Sequence, residues 1–248
     1  VLRGRAASAI IDAAREFRAD LVIVGSRGHG TIASLLLGSV ASEVVDHAPC
    51  PVLVARTASL SRVVFATDES PSARAAEAVL AQWTIFGRLP IRVVSVADVV
   101  YPWTTGVAPT MYAQVLDAYA ADLRQAKLEH ERIAAEAAAR LRDAGRAVDA
   151  ETRQGDAPSE IISVAEQRGT DLIVLGSRGR TGVTRLLLGS VARNVLSGSA
   201  ASVLIVHDAR EEAAEVDATD RSAASQRGGR SRTRSPASMR TMNRAPNR

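Results

Sequence analysis

The sequence predicts an open, doubly wound α/β fold with a parallel sheet, present as one complete unit preceded by a partial copy of itself. Three observations carry this reading. Short unbroken apolar runs, of the length of strands buried on both faces, alternate with amphipathic helical segments. One stretch, DLIVLGSRGRTGVTRLLLGSVARNVL at 171–196, runs from such a strand through a glycine loop into a helix N-terminus. The same stretch recurs at 20–46 as DLVIVGSRGHGTIASLLLGSVASEVVD, where an offset of 151 positions matches 14 of 27 residues. A repeat of that period is a duplicated domain rather than a solenoid.

The partial unit, residues 1–57, comes first. Ala6–Phe17 places Ile10, Ile11, Ala14 and Phe17 on one helical face. A strand at 21–24 follows, then a loop with Gly25 and Gly28, a helix from about Ser39, and a Pro-flanked strand at 52–55. Under the offset, Val1 aligns with Thr152, so nothing here corresponds to residues 62–151. The chain is therefore expected to be a fragment, or to have its start placed too late, in preference to an evolved half-domain. Residues 57–61 form a short polar linker.

The complete unit, residues 62–208, opens with a strand at 63–66 that runs into Thr67-Asp68-Glu69-Ser70. Pro71 suits the first turn of a helix, which Ala75, Ala78, Val79 and Trp83 continue. A strand at 91–96 leads to a loop at 101–110 containing Pro102, Gly106 and Pro109. A long Ala-rich helix is predicted from about 112 to 144. Its packed stripe is Leu116, Tyr119, Leu123, Ala126, His130, Ile133, Ala137 and Leu141, and Gly145 ends it. His130 on that stripe reads as a core-edge residue rather than a ligand. Residues 148–153 alternate as a strand with one solvent face, and Ala157–Gln167 is a helix with Pro158 in its first turn. A strand at 172–175, the glycine loop, a helix at 190–197 and a strand at 203–206 complete the unit. In a doubly wound sheet ligands sit at the carboxyl ends of strands, where Asp68, Val96 and Gly176 fall.

Composition narrows the function classes. Of 31 basic and 27 acidic residues, nine and five lie in 209–248, leaving 22 of each in 1–208. The folded body is neutral, which argues against a nucleic-acid-binding surface. Residues 209–248 lose the apolar pattern and read as a disordered Arg/Ser-rich tail, a solvated extension rather than a nucleic-acid or lipid contact. No membrane-length apolar run or signal-peptide pattern is present, and the lone Cys50 suits a cytoplasmic protein with a packed structural thiol.

The glycine loop carries the chemistry. Gly176, Gly179 and Gly189 follow G-x2-G-x9-G-[ST], and Gly25, Gly28, Gly38 and Ser39 repeat it. A strand, a glycine loop and a helix N-terminus in that order let backbone N–H groups face an anion. The loop lacks the lysine of a P-loop, and no G-x-G-x-x-G is present. The glycines alternatively make tight turns only. Ser190 is expected to be an N-cap serving phosphate oxygens. Asp68 either contacts the ligand or caps the helix near Pro71, and Arg178 and Arg180 either add charge or are solvated. The four histidines are scattered, and no paired carboxylates or metal-spaced cluster suggests catalysis.

With these motifs in hand, the complete unit resembles the universal stress protein family over about 62–207, and residues 3–56 resemble the last part of another copy. The resemblance rests on ATDES at 66–70, GSRGRTGVTRLLLGSV, GSRGHGTIASLLLGSV, and the Pro49-Cys50-Pro51 entry to strand 52–55. For the ATP-binding branch it implies a five-stranded parallel sheet, adenine nucleotide alpha hydrolase-like, that holds ATP, with or without Mg2+, without being a dedicated enzyme. It implies that Asp68 contacts the adenosine and Val96 packs on the base. Leu175, Gly176 and Gly179 would line ribose and phosphates, and Gly189, Ser190 and Val191 would contact phosphate. The partial unit has no counterpart of Asp68 and offers half a site. The leading expectation is a cytosolic, ATP-binding stress-response module. The alternatives are a nucleotide-free interaction protein, with strands 52–55 and 203–206 pairing the two units or two copies in a homodimer, and a weak ATPase.

Overall fold

The computed structural model describes residues 4–26, 37–98, 109–180 and 188–208. Expectations for Gly28, His29, Gly182, the loop at 101–108 and the tail from 209 lie outside the described residues. Elements follow the predicted order: α1 (Ala6–Phe17), β1 (Val22–Gly25), α2 (Ser39–His47), β2 (Val52–Ala55), β3 (Val63–Ala66), α3 (Pro71–Gln82), β4 (Ile91–Ala97), α4 (Pro109–Asp143), β5 (Val148–Gln154), α5 (Ala157–Gln167), β6 (Leu172–Gly176), α6 (Ser190–Gly198) and β7 (Ser202–Val206). They build one seven-stranded sheet in the order β1-β2-β7-β6-β3-β4-β5.

Five of these strands, β7-β6-β3-β4-β5, are mutually parallel. Among these five the chain starts at β3, moves outward through β4 and β5, then reverses to β6 and β7, so the switch point lies between β3 and β6. The unbroken apolar runs are buried on both faces, as β3 and β7 are throughout. One core packs α1, α2, α5 and α6 on one face, with Ile11, Val44, Ile161 and Leu196 among its members. The other face packs α3 and α4 through Leu80, Ala134, Ala137 and Leu141. Cys50 is buried in the first of these cores.

The sheet extends past the five-stranded expectation because β1 and β2, parallel to one another, join it. Strand β2 pairs antiparallel with β7, placing Val52 opposite Ile205, Leu53 opposite Leu204 and Val54 opposite Val203. Leu204 is the residue 151 positions beyond Leu53, so each stands opposite its own duplicate. A local two-fold axis therefore passes between them. Both edges of β2 and of β7 are occupied, and the sheet ends at β1 and β5.

Two helices differ from expectation. The stripe of α4 is buried only from His130 onward, whereas Leu116 and Leu128 are exposed. A 35-residue helix is about 52 Å long and the seven-residue β4 about 23 Å, so one end overhangs the sheet. Helix α3 contains Ala75, Ala78 and Val79 as expected and buries Ser72, Ala73, Ala76, Glu77 and Leu80. In an Ala-rich segment the apolar period is ambiguous, and the bidentate pair of Glu77 with Arg140 (2.6 and 2.9 Å) lets a carboxylate face inward. Trp83 ends α3 instead of continuing it and stacks on Phe86.

Arg56 fastens the β2–β7 joint. Its guanidinium donates to Leu196 O (2.5 Å) and Ala201 O (3.4 Å), and its backbone N–H donates to the buried Ser202 Oγ (3.0 Å). Arg56→Ala strands one carbonyl in the last turn of α6 and one just before β7, and the expected loss is about 1–2 kcal/mol of unfolding free energy, read by chemical denaturation. Arg56→Lys recovers only part of it, since an ammonium does not span both carbonyls.

Candidate functional site

A cavity of about 410 Å³ opens at the carboxyl ends of β3, β4 and β6, beside the switch point. Its apolar floor is Ala66, Val94, Val96, Ile161 and Leu175. Thr67, Asp68, Asp98 and His130 border it on one side, and the 176–180 loop with the first turn of α6 on the other. Of the residues expected to form the site, Asp68, Val96, Leu175, Gly176, Gly179, Ser190 and Val191 line this cavity. Gly189 stands behind it, where its N–H donates to Ser177 O (2.8 Å) and shapes the turn.

The loop is held by the start of α3. Ser70 caps that helix, accepting from Ala73 N (3.3 Å), and its hydroxyl donates to Arg178 O (2.9 Å). Ser72 Oγ donates to the same oxygen (2.6 Å) and accepts from Arg178 N (3.1 Å). The helix-cap alternative for Asp68 thus falls to Ser70. Asp68 instead accepts from Ser70 N on Oδ1 (3.0 Å) and from Arg180 N on Oδ2 (3.1 Å), bridging two loops at the cavity mouth.

The glycines answer a different demand from the two weighed on sequence. None of Gly176, Gly179 and Gly189 has a positive φ. A Cβ on Gly176 would lie 2.4 Å from Ser72 Oγ and 2.6 Å from Ala73 N, and one on Gly179 would lie 3.0 Å from Asp68 Oδ2. Gly176 lets the first turn of α3 cross directly over the end of β6. Ser190 also differs from expectation: Gly189 is the N-cap of α6, Ser190 is its first helical residue, and its side chain makes no capping bond. With the cap supplied by the extended backbone of Gly189, the Ser190 hydroxyl is exposed beside first-turn amides that have no intrahelical acceptor. At the earlier copy of the motif Gly38 N donates to Ser26 O (2.9 Å), the same turn closure, and α2 begins at Ser39.

Glu69 and His130 were not read as site residues. Glu69 follows Asp68 in the left-handed region, φ 63°, a conformation that costs on the order of 1 kcal/mol for a side-chain-bearing residue. Its carboxylate pairs with Arg74 (2.6 Å) and with Arg132 of α4 (3.0 Å), anchoring the loop that carries Asp68. His130 Nδ1 lies 2.8 Å from Ser95 Oγ, which is fully buried and also donates to Thr67 O (2.8 Å). A hydroxyl has one proton, so Nδ1 carries the hydrogen in the His130–Ser95 bond. Burial pushes the His130 pKa below 6.5, with Arg180 adding to the effect against Glu129, Asp68 and Asp98. A polar residue alone on a packed stripe was the available signal for His130. Among the described residues no group of three or more His, Cys, Asp or Glu is placed to hold a metal.

Gly176→Ala is expected to lower stability by about 2 kcal/mol or more, because the backbone of Ala73 blocks the new methyl, and thermal denaturation checks it. Adding Ser72→Ala should recover little. The lowered His130 pKa means the unfolded chain binds the extra proton first as pH falls below 6.5. Stability is therefore full above that value and is lost as pH drops through the folded pKa. His130→Asn should flatten this part of the pH–stability curve, above the range in which Asp156 and Asp171, held low by Ser159 and Ser61, titrate.

The model of the universal stress protein family matches residues 1–56 and again residues 60–207. Over 56 residues the chain is 52% identical to a universal stress protein of Thermus aquaticus, covering 23% of this chain and 41% of that one. Over 203 residues it is 29% identical to universal stress protein Rv2005c of Mycobacterium tuberculosis, covering 75% of this chain and 61% of that one. The chain thus spans 41% and 61% of the length of these two relatives. Among solved structures, PA1789 of Pseudomonas aeruginosa, functionally unknown, has a TM-score of 0.63 at 18% identity, over 89% of this chain and 74% of that one. MJ0577 of Methanocaldococcus jannaschii has a TM-score of 0.50 at 24% identity, over 60% and 96%. These two likenesses show a common fold. Two successive matches to one family model, spanning most of the sequence, show that the chain belongs to the universal stress protein family.

Proposed function

We propose that the cavity binds an adenine nucleotide, ATP alone or with Mg2+, and that the protein is a cytoplasmic stress-response module that responds to nucleotide rather than a dedicated enzyme. The observation that carries this reading is the polarity of one continuous cavity. Its volume, about 410 Å³, falls in the range of small-molecule sites. At one end the first turn of α6 offers Ser190 and Val191 beside Gly179 and Arg178, a setting for a polyphosphate. At the other, Val96, Val94 and Ile161 offer an apolar bed for a base.

In this reading Val96 packs on the adenine and Asp68 contacts the adenosine. Leu175, Gly176 and Gly179 line ribose and phosphates, while Ser190 and Val191 meet the phosphates on a turn shaped by Gly189. ATP, when bound, supplies a highly charged tail whose preference for one conformer shifts a population. Asp68 already accepts from two backbone amides and His130 Nδ1 is engaged by Ser95, so in this reading neither is dedicated to activating water and hydrolysis is at most weak. Among the described residues no helix is long and apolar enough to cross a membrane.

A second reading has its own support: the packing around Gly176 explains that glycine without any ligand. Here the protein is a nucleotide-free interaction module. A homodimer built through the final strands would have to displace the β2–β7 pairing inside the chain.

Thermal shift of the full chain separates the readings. ATP at about one hundred times its dissociation constant should add about 2.7 kcal/mol and raise Tm, and Asp68→Ala or Gly179→Val should remove the shift. No shift at millimolar ATP favours the interaction module. Multiple-turnover phosphate release near ~1 s⁻¹ would instead make the protein an enzyme.

A further inference from the structure

We propose that Glu69 is a positioning residue for this cavity: held in the left-handed region by arginines of two helices, it aims the Asp68 carboxylate at the adenosine. The inference rests on the adenine-nucleotide reading above. Three consecutive residues carry it. Asp68 lines the cavity, Glu69 has a φ of 63°, and Ser70 caps α3. The turn at Glu69 brings Ser70 N round to Asp68 Oδ1 (3.0 Å), and the other oxygen reaches Arg180 N (3.1 Å). Both carboxylate oxygens are thereby fixed in direction, while each keeps a further lone pair for a hydroxyl of the ligand. The clearance around them is small, since a Cβ on Gly179 would stand 3.0 Å from Asp68 Oδ2. A modest change in the direction of Asp68 therefore alters the cavity.

A turn of this kind suits glycine, whereas a residue with a Cβ leaves that region unless its surroundings hold it there. What holds Glu69 is its carboxylate, on a side chain only 17% exposed. Oε1 accepts from Arg74 of α3 (2.6 Å) and Oε2 from Arg132 of α4 (3.0 Å). Arg132 is braced on its own helix by Glu129 (2.9 Å) and Glu136 (2.8 Å), so it presents a fixed donor to the loop. Arg140 lies farther off (3.9 Å) and is committed to Glu77. Glu69 itself lies outside the cavity lining, so it acts on a ligand through Asp68.

Calorimetric titration of the full chain with ATP tests this role. Glu69→Ala keeps a Cβ and loses both arginines, and should weaken binding about tenfold. Glu69→Gly removes the same charge but takes the left-handed turn unaided, and should stay within about twofold of the unaltered chain. Because both variants lose one carboxylate, the difference between them is conformational rather than electrostatic. Arg132→Ala should weaken binding about fivefold in the unaltered chain and less than about twofold when residue 69 is glycine. If Glu69→Ala does not fold, the Arg132→Ala comparison in the two backgrounds decides alone. Equal affinities for Glu69→Ala and Glu69→Gly overturn the role of Glu69 while leaving an ATP site. So does an Arg132→Ala loss that is missing in the unaltered chain or persists in the Glu69→Gly chain. Absence of ATP binding by the unaltered chain overturns the site itself.

Discussion

The structure depends on one close crossing. The first turn of α3 passes over the carboxyl end of β6 with so little clearance that a Cβ on Gly176 would stand 2.4 Å from Ser72 Oγ. From that contact Ser70 and Ser72 both grip the carbonyl of Arg178, and Asp68 reaches the amide of Arg180. The loop between β6 and α6 is thus fixed at its root by another element. The described root of that loop, 176–180, lines the cavity opposite Thr67, Asp68 and His130, with Val94, Val96 and Leu175 as an apolar floor.

A second ring of contacts steadies the opposite wall. Glu69, in a left-handed conformation, is tied to Arg74 and Arg132, which joins α4 to the β3–α3 loop. The same helix delivers His130 to Ser95 beneath the strand ends. Strain at Glu69 and a buried imidazole are both costly features, and they lie within one turn of α4, next to the cavity.

Residues 1–56 are accommodated by symmetry. Strand β2 meets β7 so that Leu53 faces Leu204, its own duplicate, and a sheet that would end at β7 continues for two more strands. Equivalent surfaces are self-complementary about a two-fold axis, which is why duplicated strands can close on one another without new sequence. Arg56 and Ser202 then tie the joint to the end of α6.

Much of the architecture was legible from residue order. Apolar runs such as Leu172–Gly176 and Ser202–Val206 announce buried strands because both faces need the same chemistry. The recurrence at an offset of 151 announces duplication, and seven of the eight residues that the family resemblance implies line one cavity, Gly189 being the exception. What residue order left ambiguous were matters of partnership. It placed the stripe of α4 along its whole length, since periodicity does not record where a sheet ends. It made Ser190 a cap and Asp68 a candidate cap, since which side chain reaches which amide depends on loop paths. It read His130 as a core-edge residue, since nothing along the helix reveals a serine three strand positions inside β4. By itself the sequence determined the elements, the strands buried on both faces and the family motif, because these follow from local periodicity and composition. Only the tertiary structure decided why Gly176 must be glycine, which strands the two units share and which tautomer His130 adopts, because each depends on atoms brought together from distant parts of the chain.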